Sequence, residues 1–141
     1  MDSNKNKIII ADDHPELRFG LKTLINRSSD LSVVDEAADG SELLEKLAVQ
    51  PCDLVVLDLS MPEMDGLKAV FQIKKKFPAI KILIFSLHQS KDILLSLVMA
   101  GIDGFFLKDD SMDHMIGAIQ EVLTGGRYFS PGLSHLLTDL D

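Results

Sequence analysis

Five residues able to take part in phosphate or metal chemistry follow short apolar runs in this sequence. They are three carboxylates, a hydroxyl and an amine: Asp12, Asp13, Asp58, Ser86 and Lys108. Three carboxylates held close together would repel, and one would keep its proton unless a cation lay between them. Mg²⁺ prefers oxygen ligands and usually keeps several waters beside one or two carboxylates. With an amine and a hydroxyl nearby, such a site would suit a highly charged phosphoryl group.

Each of these residues also has a simpler interpretation. Asp13 could cap a helix, Ser86 could be a small residue at a strand end, and Lys108 could be a surface charge. Taken singly, each simpler interpretation is at least as strong as the chemical one. The combination of acid, acid, hydroxyl and amine at four strand ends favours a shared site.

The apolar runs have the length and composition of strands buried in a parallel sheet. They cover residues 7–11, 31–37, 54–57, 80–85 and 104–107. The run before Asp58 is continuously apolar, and Pro62 and Gly66 mark a loop after it. Because the carboxyl ends of parallel strands meet at one edge, where open α/β sheets bind their ligands, the five side chains can converge there.

Helix signals alternate with the strands. Pro15 suits the first turn of a helix, with His14 or Asp13 as its cap, and Gly101 suits a helix end. Ser111 is expected to cap the fifth helix, and Gly125 with Gly126 to end it near Thr124. Five strand–helix units predict an α/β fold with a five-stranded parallel sheet, helices on both faces and three layers.

Composition narrows the class of protein. The chain has 141 residues and a net charge of −8, which indicates one domain and argues against binding nucleic acid by itself. Its single cysteine, Cys52, excludes an internal disulfide framework. No apolar run approaches the roughly 18 residues of a membrane span, and the first residues lack a signal-peptide pattern. These features predict a cytoplasmic location without a membrane partner.

Four motifs resemble the receiver domain of two-component response regulators. They are Ile10–His14, Asp58–Gly66, Phe85–Ser86 and Gly104–Lys108. The resemblance implies the flavodoxin-like receiver fold. Lys108 followed by Asp109, together with residues 125–131, resembles the LuxR/NarL-type regulators, in which a helix-turn-helix domain follows the receiver.

The resemblance also implies a function. Asp58 would accept a phosphoryl group from a sensor histidine kinase, so the chain would be a switch and not an enzyme, beyond its own phosphorylation and dephosphorylation. Asp13 and Asp58 would bind Mg²⁺ through their side chains and Ser60 through its carbonyl, while Asp12 would act through a bound water.

The remaining site residues are expected to read the phosphoryl group. Lys108 and Ser86 would contact its oxygens, and Ser86 with Phe105 would form the switch, although Phe105 replaces the tyrosine common in this family. The resemblance also implies that Ser60 and His88 occupy positions that tend to tune the lifetime of the acyl phosphate in this family, and a plain surface role for His88 stays open.

Two other classes of function remain as alternatives. A Mg²⁺-dependent phosphatase of the haloacid-dehalogenase kind also uses an aspartate nucleophile, but it normally has a second aspartate where Ser60 stands. An unphosphorylated binding module would be expected to lack one or more of Asp13, Asp58 and Lys108, and all three are present.

The last expectations concern domains and partners. Residues 1–126 would form the receiver, and residues 127–141 would be a linker towards an output domain absent from this chain. Within that linker, residues 131–137 are expected to form a short amphipathic segment with little of its own to pack against. DNA would be bound only through that domain. Residues 93–99 are apolar nearly all round, which indicates either a deeply packed helix or a surface for a phosphorylation-dependent homodimer.

Overall fold

The computed structural model describes residues 5–61, 66–87 and 90–137. Within these residues, six parallel strands form one sheet in the order β2-β1-β3-β4-β5-β6. The strands are β1 Asn6–Ala11, β2 Leu31–Ala37, β3 Leu54–Leu57, β4 Lys81–Ser86, β5 Gly104–Leu107 and β6 Tyr128–Phe129. The helices are α1 Pro15–Asn26, α2 Gly40–Val49, α3 Gly66–Lys76, α4 Lys91–Ala100, α5 Met115–Leu123 and α6 Ser134–Leu137.

Helices cover both faces of the sheet, as the sequence predicts. Alternate residues of β3 point to opposite faces: Val55 lies in a core shared with α2, α3 and α4, and Val56 lies in a core shared with α1 and α5. Both residues are buried. The continuous apolar run of β3 therefore reflects burial on two sides, and the α/β three-layer prediction is confirmed.

The sixth strand differs from the prediction of five. β6 has only two residues, Tyr128 and Phe129, and pairs in parallel with Gly104 and Phe105 of β5. Two residues are too short to show the period of a strand, so only the tertiary pairing defines it.

Local signals account for several helix ends. Asp39 caps α2 by accepting a hydrogen bond from the Glu42 amide at 2.8 Å, and Ser90 caps α4 through the Ile93 amide. Gly101 ends α4 in the left-handed conformation, at φ 99°. Ser111 caps a short 3₁₀ turn, Met112–His114, so α5 begins only at Met115.

The chain after α5 packs back on the sheet. A 3₁₀ turn, Pro131–Leu133, follows β6 and leads into α6. Leu133 is fully buried, and a Cβ on Gly132 would lie 2.9 Å from Leu107 Cδ1. The expectation that residues 131–137 have little to pack against is therefore wrong: Leu133 lies in the core, and Leu136 and Leu137 pack against it.

None of the helices in the described ranges is both long enough and apolar enough to span a membrane.

Candidate functional site

The predicted site residues meet at the carboxyl edge of the sheet. Backbone hydrogen bonds continue past the strand ends: the Asp58 amide donates to the Ala11 carbonyl at 2.9 Å, and the Lys108 amide donates to the Ser86 carbonyl at 2.8 Å. These bonds hold the loops that carry the site side chains against neighbouring strands. Four strands thereby place their terminal side chains along one edge.

The acidic residues form one cluster. Ligand atoms of Asp12, Asp13, His14 and Asp58 all lie within 4.8 Å of one another. Asp12 and Asp58 are each 1% exposed, whereas Asp13 is only partly buried. Carboxylates this close raise the cost of ionisation unless cations compensate them.

Asp12 has protein partners for both of its carboxylate oxygens. Its Oδ1 accepts a hydrogen bond from the His14 amide at 2.8 Å and lies 2.9 Å from His14 Nδ1. Its Oδ2 accepts a hydrogen bond from Lys108 Nζ at 3.3 Å. Asp12 is therefore less available than its neighbours for direct binding of an ion.

Asp13 and Asp58 each present an oxygen that accepts no hydrogen bond from the described residues. Among the described residues, buried Asp13 Oδ1 and Asp58 Oδ2 make no hydrogen bond, although Asp13 Oδ1 lies 3.0 Å from His14 Nδ1. Buried charged oxygens normally find a partner, so these two call for a cation or a proton. This donor set fits a hard, oxygen-preferring metal ion.

The environment of Asp58 disfavours its charged form. Burial raises the pKa of Asp58; the Ser60 amide, which donates to Asp58 Oδ1 at 3.1 Å, opposes this shift. The charges of Asp12 and Asp13 raise the pKa further, and the charge of Lys108 lowers it. The carboxylate of Asp58 is thus both desolvated and crowded by like charge.

Lys108 places a positive charge between two of the carboxylates. Its side chain is 15% exposed, and Nζ lies 3.6 Å from Asp58 Oδ1. Nζ also lies 5.2 Å from the centre of the Phe85 ring, in cation–π geometry. The amine therefore bridges Asp12 and Asp58, next to the Asp58 oxygen that has no hydrogen bond among the residues described.

The other predicted residues are placed as follows. Ser86 is buried as the last residue of β4, and Phe105 is buried in β5. Because the Phe105 ring already lies in the core, it would not need to swing in from the surface. Ser60 is exposed next to the site. His88 and residues 62–65 of the Asp58 motif lie outside the described residues.

Two residues of the site, His14 and Arg18, were not predicted from the sequence to belong to it. His14 was predicted only as a helix cap; its side chain makes no capping bond and instead contacts Asp12, whose hydrogen bond is the largest cause of its raised pKa, ahead of the charge of Asp13. Arg18 donates through Nη1 to the Asp12 carbonyl at 2.6 Å and through Nε to Glu36 at 3.2 Å. The position of His14 directly after two aspartates could have indicated its role in the site. Arg18 reaches the Asp12 carbonyl from helix α1, and nothing in the sequence indicates that contact.

Comparison with known proteins identifies the family. Residues 8–120 match the family model described as the response regulator receiver domain. The oxygen regulatory protein NreC of Staphylococcus carnosus is 36% identical over 94% of this chain and 62% of its own length. The nitrate/nitrite response regulator protein NarL of Escherichia coli K12 is 33% identical over 92% of this chain and 60% of its own length.

Solved structures give the same result. A LuxR-family two-component response regulator from an Aurantimonas species superposes with a TM-score of 0.91 at 33% identity, covering 96% of this chain and 97% of that one. The isolated receiver domain of RcsB from Salmonella enterica serovar Typhimurium, solved with the phosphomimetic BeF3−, superposes with a TM-score of 0.89 at 28% identity, covering 94% and 99%. The chain spans about three fifths of the length of the curated relatives it matches.

Proposed function

This chain belongs to the response regulator receiver family, of the NarL/LuxR type, and we propose that it accepts a phosphoryl group on Asp58. The observation that carries the proposal is the state of Asp58. It is a buried carboxylate at an open sheet edge beside a lysine amine, and one of its oxygens has no partner within the described part of the chain.

The reaction is a transfer from nitrogen to oxygen. Asp58 Oδ2 attacks the phosphorus of a phosphohistidine on a sensor kinase, a P–O bond forms, and the P–N bond breaks with its electron pair moving to the imidazole. Such transfers depend mainly on positioning and charge neutralisation. Bound Mg²⁺ would neutralise the growing negative charge, held by the side chains of Asp13 and Asp58 and the carbonyl of Ser60.

The division between the acids follows from their contacts. Asp12 already has hydrogen-bond partners on both oxygens and would reach the ion through water, whereas Asp13 Oδ1 accepts no hydrogen bond from the described residues. Direct binding by Asp13 and indirect binding by Asp12 therefore leaves the fewest charged oxygens uncompensated.

Lys108 and Ser86 would contact oxygens of the phosphoryl group. Lys108 Nζ now pairs with Asp12 and Asp58, and a more highly charged phosphoryl oxygen would compete for it. Ser86 would donate its hydroxyl to another oxygen. Because Ser86 and Phe105 are both buried, the switch would be a repacking of the β4 and β5 edge.

The phosphatase alternative is less well supported. A hydrolase of that kind needs an acid near the leaving group, and Ser60, two residues after Asp58, has no carboxyl group. Slow loss of phosphate from Asp58, as part of the switch, needs no such group.

Partners, domain limits and location follow as further parts of the proposal. Residues 1–126 contain the phosphoacceptor site, and residues 127–141, which first pack on this unit through β6 and Leu133, lead towards a DNA-binding output domain. The switch works in the cytoplasm with a sensor histidine kinase. On α4, Ile93, Leu95 and Met99 are exposed, Met99 by 79%, which supports a phosphorylation-dependent homodimer on this face.

Phosphate incorporation tests the proposal. The chain incubated with Mg²⁺ and acetyl phosphate should gain one phosphoryl group by intact mass, and Asp58→Asn should gain none because an amide is a poor nucleophile. Asp109→Asn removes the same charge from an exposed neighbour of Lys108 and should be phosphorylated normally. Normal uptake by Asp58→Asn would refute the assignment, and steady phosphate release would favour the phosphatase. The dimer is tested separately by analytical ultracentrifugation. A sedimentation coefficient that Mg²⁺ and BeF3− leave unchanged would refute the phosphorylation-dependent homodimer.

A further inference from the structure

Asp110 is a buried carboxylate that the proposed chemistry does not use. It lies two residues after Lys108, and its side chain is 7% exposed. Its Oδ2 accepts hydrogen bonds from the Tyr128 hydroxyl and the Ser130 hydroxyl, each at 2.7 Å. Its Oδ1 lies 2.7 Å from His114 Nδ1. One side chain from the 3₁₀ turn Met112–His114 and two from the β6 segment thus contact the same carboxylate.

Ser130 connects this carboxylate to the strand that carries Lys108. Its Oγ accepts a hydrogen bond from the Leu107 amide at 2.8 Å, and its own amide donates to the Phe105 carbonyl at 3.0 Å. The Asp110 amide donates to the Leu107 carbonyl at 2.9 Å. The turn through Lys108 is therefore fastened to the β6 segment on both sides. We name Asp110, Tyr128 and Ser130 the Asp110 latch.

The bonds of the latch are charge-assisted. Burial alone would raise the pKa of Asp110, but the hydrogen bonds from Ser130, Tyr128 and His114 together lower it. Burial and the contact with Asp110 raise the pKa of Tyr128 to about 12. At neutral pH the acceptor is thus ionised and the phenol keeps its proton, which is the stronger kind of hydrogen bond.

We infer that the Asp110 latch positions Lys108 for the phosphoryl group and couples the phosphorylation site to the segment Tyr128–Leu137. This inference rests on the proposed function of Asp58. To contact a phosphoryl oxygen, Lys108 must give up its present geometry with Asp12 and Asp58, at 3.3 and 3.6 Å. The turn that carries Lys108 is hydrogen-bonded to the Asp110 latch. A movement of Lys108 towards the phosphoryl group and a rearrangement of the latch are therefore energetically coupled. Such coupling is reciprocal: disturbing the latch must change affinity at the site.

The chain contains its own reporter of the latch. Tyr128 is the only tyrosine and there is no tryptophan, so tyrosine emission reports on the hydroxyl that donates to Asp110. We expect Mg²⁺ with BeF3− to change this emission, with the midpoint that calorimetry gives for binding of the analogue. Asp109→Asn, which alters an exposed charge outside the latch, should respond as the unaltered chain does.

Substitutions in the Asp110 latch should lower the affinity for BeF3− without changing the affinity for Mg²⁺. Asp110→Asn and Ser130→Ala should bind BeF3− about threefold to tenfold more weakly, a typical range for coupling between neighbouring elements. Their affinity for Mg²⁺ alone should be unchanged, because the described side-chain hydrogen bonds of Asp110 go to His114, Tyr128 and Ser130 and not to Asp13 or Asp58. Tyr128→Phe removes one hydrogen bond and keeps the ring stacked on Phe106, at 5.7 Å between centroids. Its affinity for BeF3− should therefore lie between that of Asp110→Asn or Ser130→Ala and that of the unaltered chain.

The outcomes are distinguishable. If the unaltered chain binds BeF3− by calorimetry without any change in Tyr128 emission, or if Asp110→Asn and Tyr128→Phe bind it with normal affinity, the latch is only structural and the inference is wrong. Equal losses of Mg²⁺ and BeF3− affinity would also contradict it. If the unaltered chain binds no BeF3−, the proposed function of Asp58 fails and the inference fails with it. Should Asp110→Asn not fold, Tyr128→Phe alone decides.

Discussion

The crowding of carboxylates predicts that Asp58→Asn stabilises the fold when no divalent ion is available. Asp58 lies within 4.8 Å of ligand atoms of both Asp12 and Asp13. At an effective dielectric constant of about 20, one such pair repels by about 3.5 kcal/mol, and the attraction of Lys108 at 3.6 Å offsets about 4.5 kcal/mol of the two repulsions. Removing the charge of Asp58 should raise the free energy of unfolding by about 2 kcal/mol.

The dependence on pH follows from the raised pKa of Asp58. In the unfolded chain an aspartate ionises near pH 4, whereas the buried carboxyl holds its proton to higher pH. The unaltered protein therefore keeps full stability below the unfolded pKa and loses it as pH rises through the folded pKa. An asparagine does not titrate, so the advantage of Asp58→Asn should shrink as pH falls towards 4.

Urea denaturation in EDTA and in Mg²⁺ measures the effect. Mg²⁺ at 100 times its dissociation constant should stabilise the unaltered protein by about 2.7 kcal/mol and erase the difference, since the variant has lost a ligand. Asp109→Asn, an exposed carboxylate with the same charge change, should stay within about 0.5 kcal/mol. If Asp58→Asn in EDTA at pH 7.5 is no more stable than the unaltered chain, repulsion does not dominate this site.

Two further substitutions test other parts of the structure. Lys108→Ala should keep its affinity for Mg²⁺ and lose affinity for BeF3−, because it removes a phosphoryl contact and not a metal ligand; a loss of Mg²⁺ affinity in calorimetry as large as that of Asp13→Ala would contradict this role. Leu133→Ala should lower the free energy of unfolding by about 2–5 kcal/mol, because the side chain is fully buried. In the same urea denaturation, Val49→Ala, at a position 84% exposed, should change it by less than about 0.5 kcal/mol, and equal effects would mean that the segment after α5 does not pack on the sheet.

Short-range signals in the sequence determined most of the architecture. The bounds of β2, β3 and β5 agree with the predicted ranges; β1 begins one residue earlier than predicted, and β4 is shifted by one residue at both ends. Gly101 and Ser90 mark the ends of α4 because helix ends depend on residues only a few positions away. The edge on which the site lies also followed from sequence, since parallel strands must present their carboxyl ends together.

The tertiary structure alone decided which atoms are partners. Lys108 and Asp12 are 96 positions apart, and their contact depends on how β1 and β5 are placed in the finished sheet. The same holds for the free oxygen of Asp58, the two-residue strand β6, and the contacts of Asp110 with Tyr128 and Ser130. Periodicity identifies which residues form a strand, but a hydrogen bond of less than 3 Å requires a backbone position and a rotamer that only the packed chain provides.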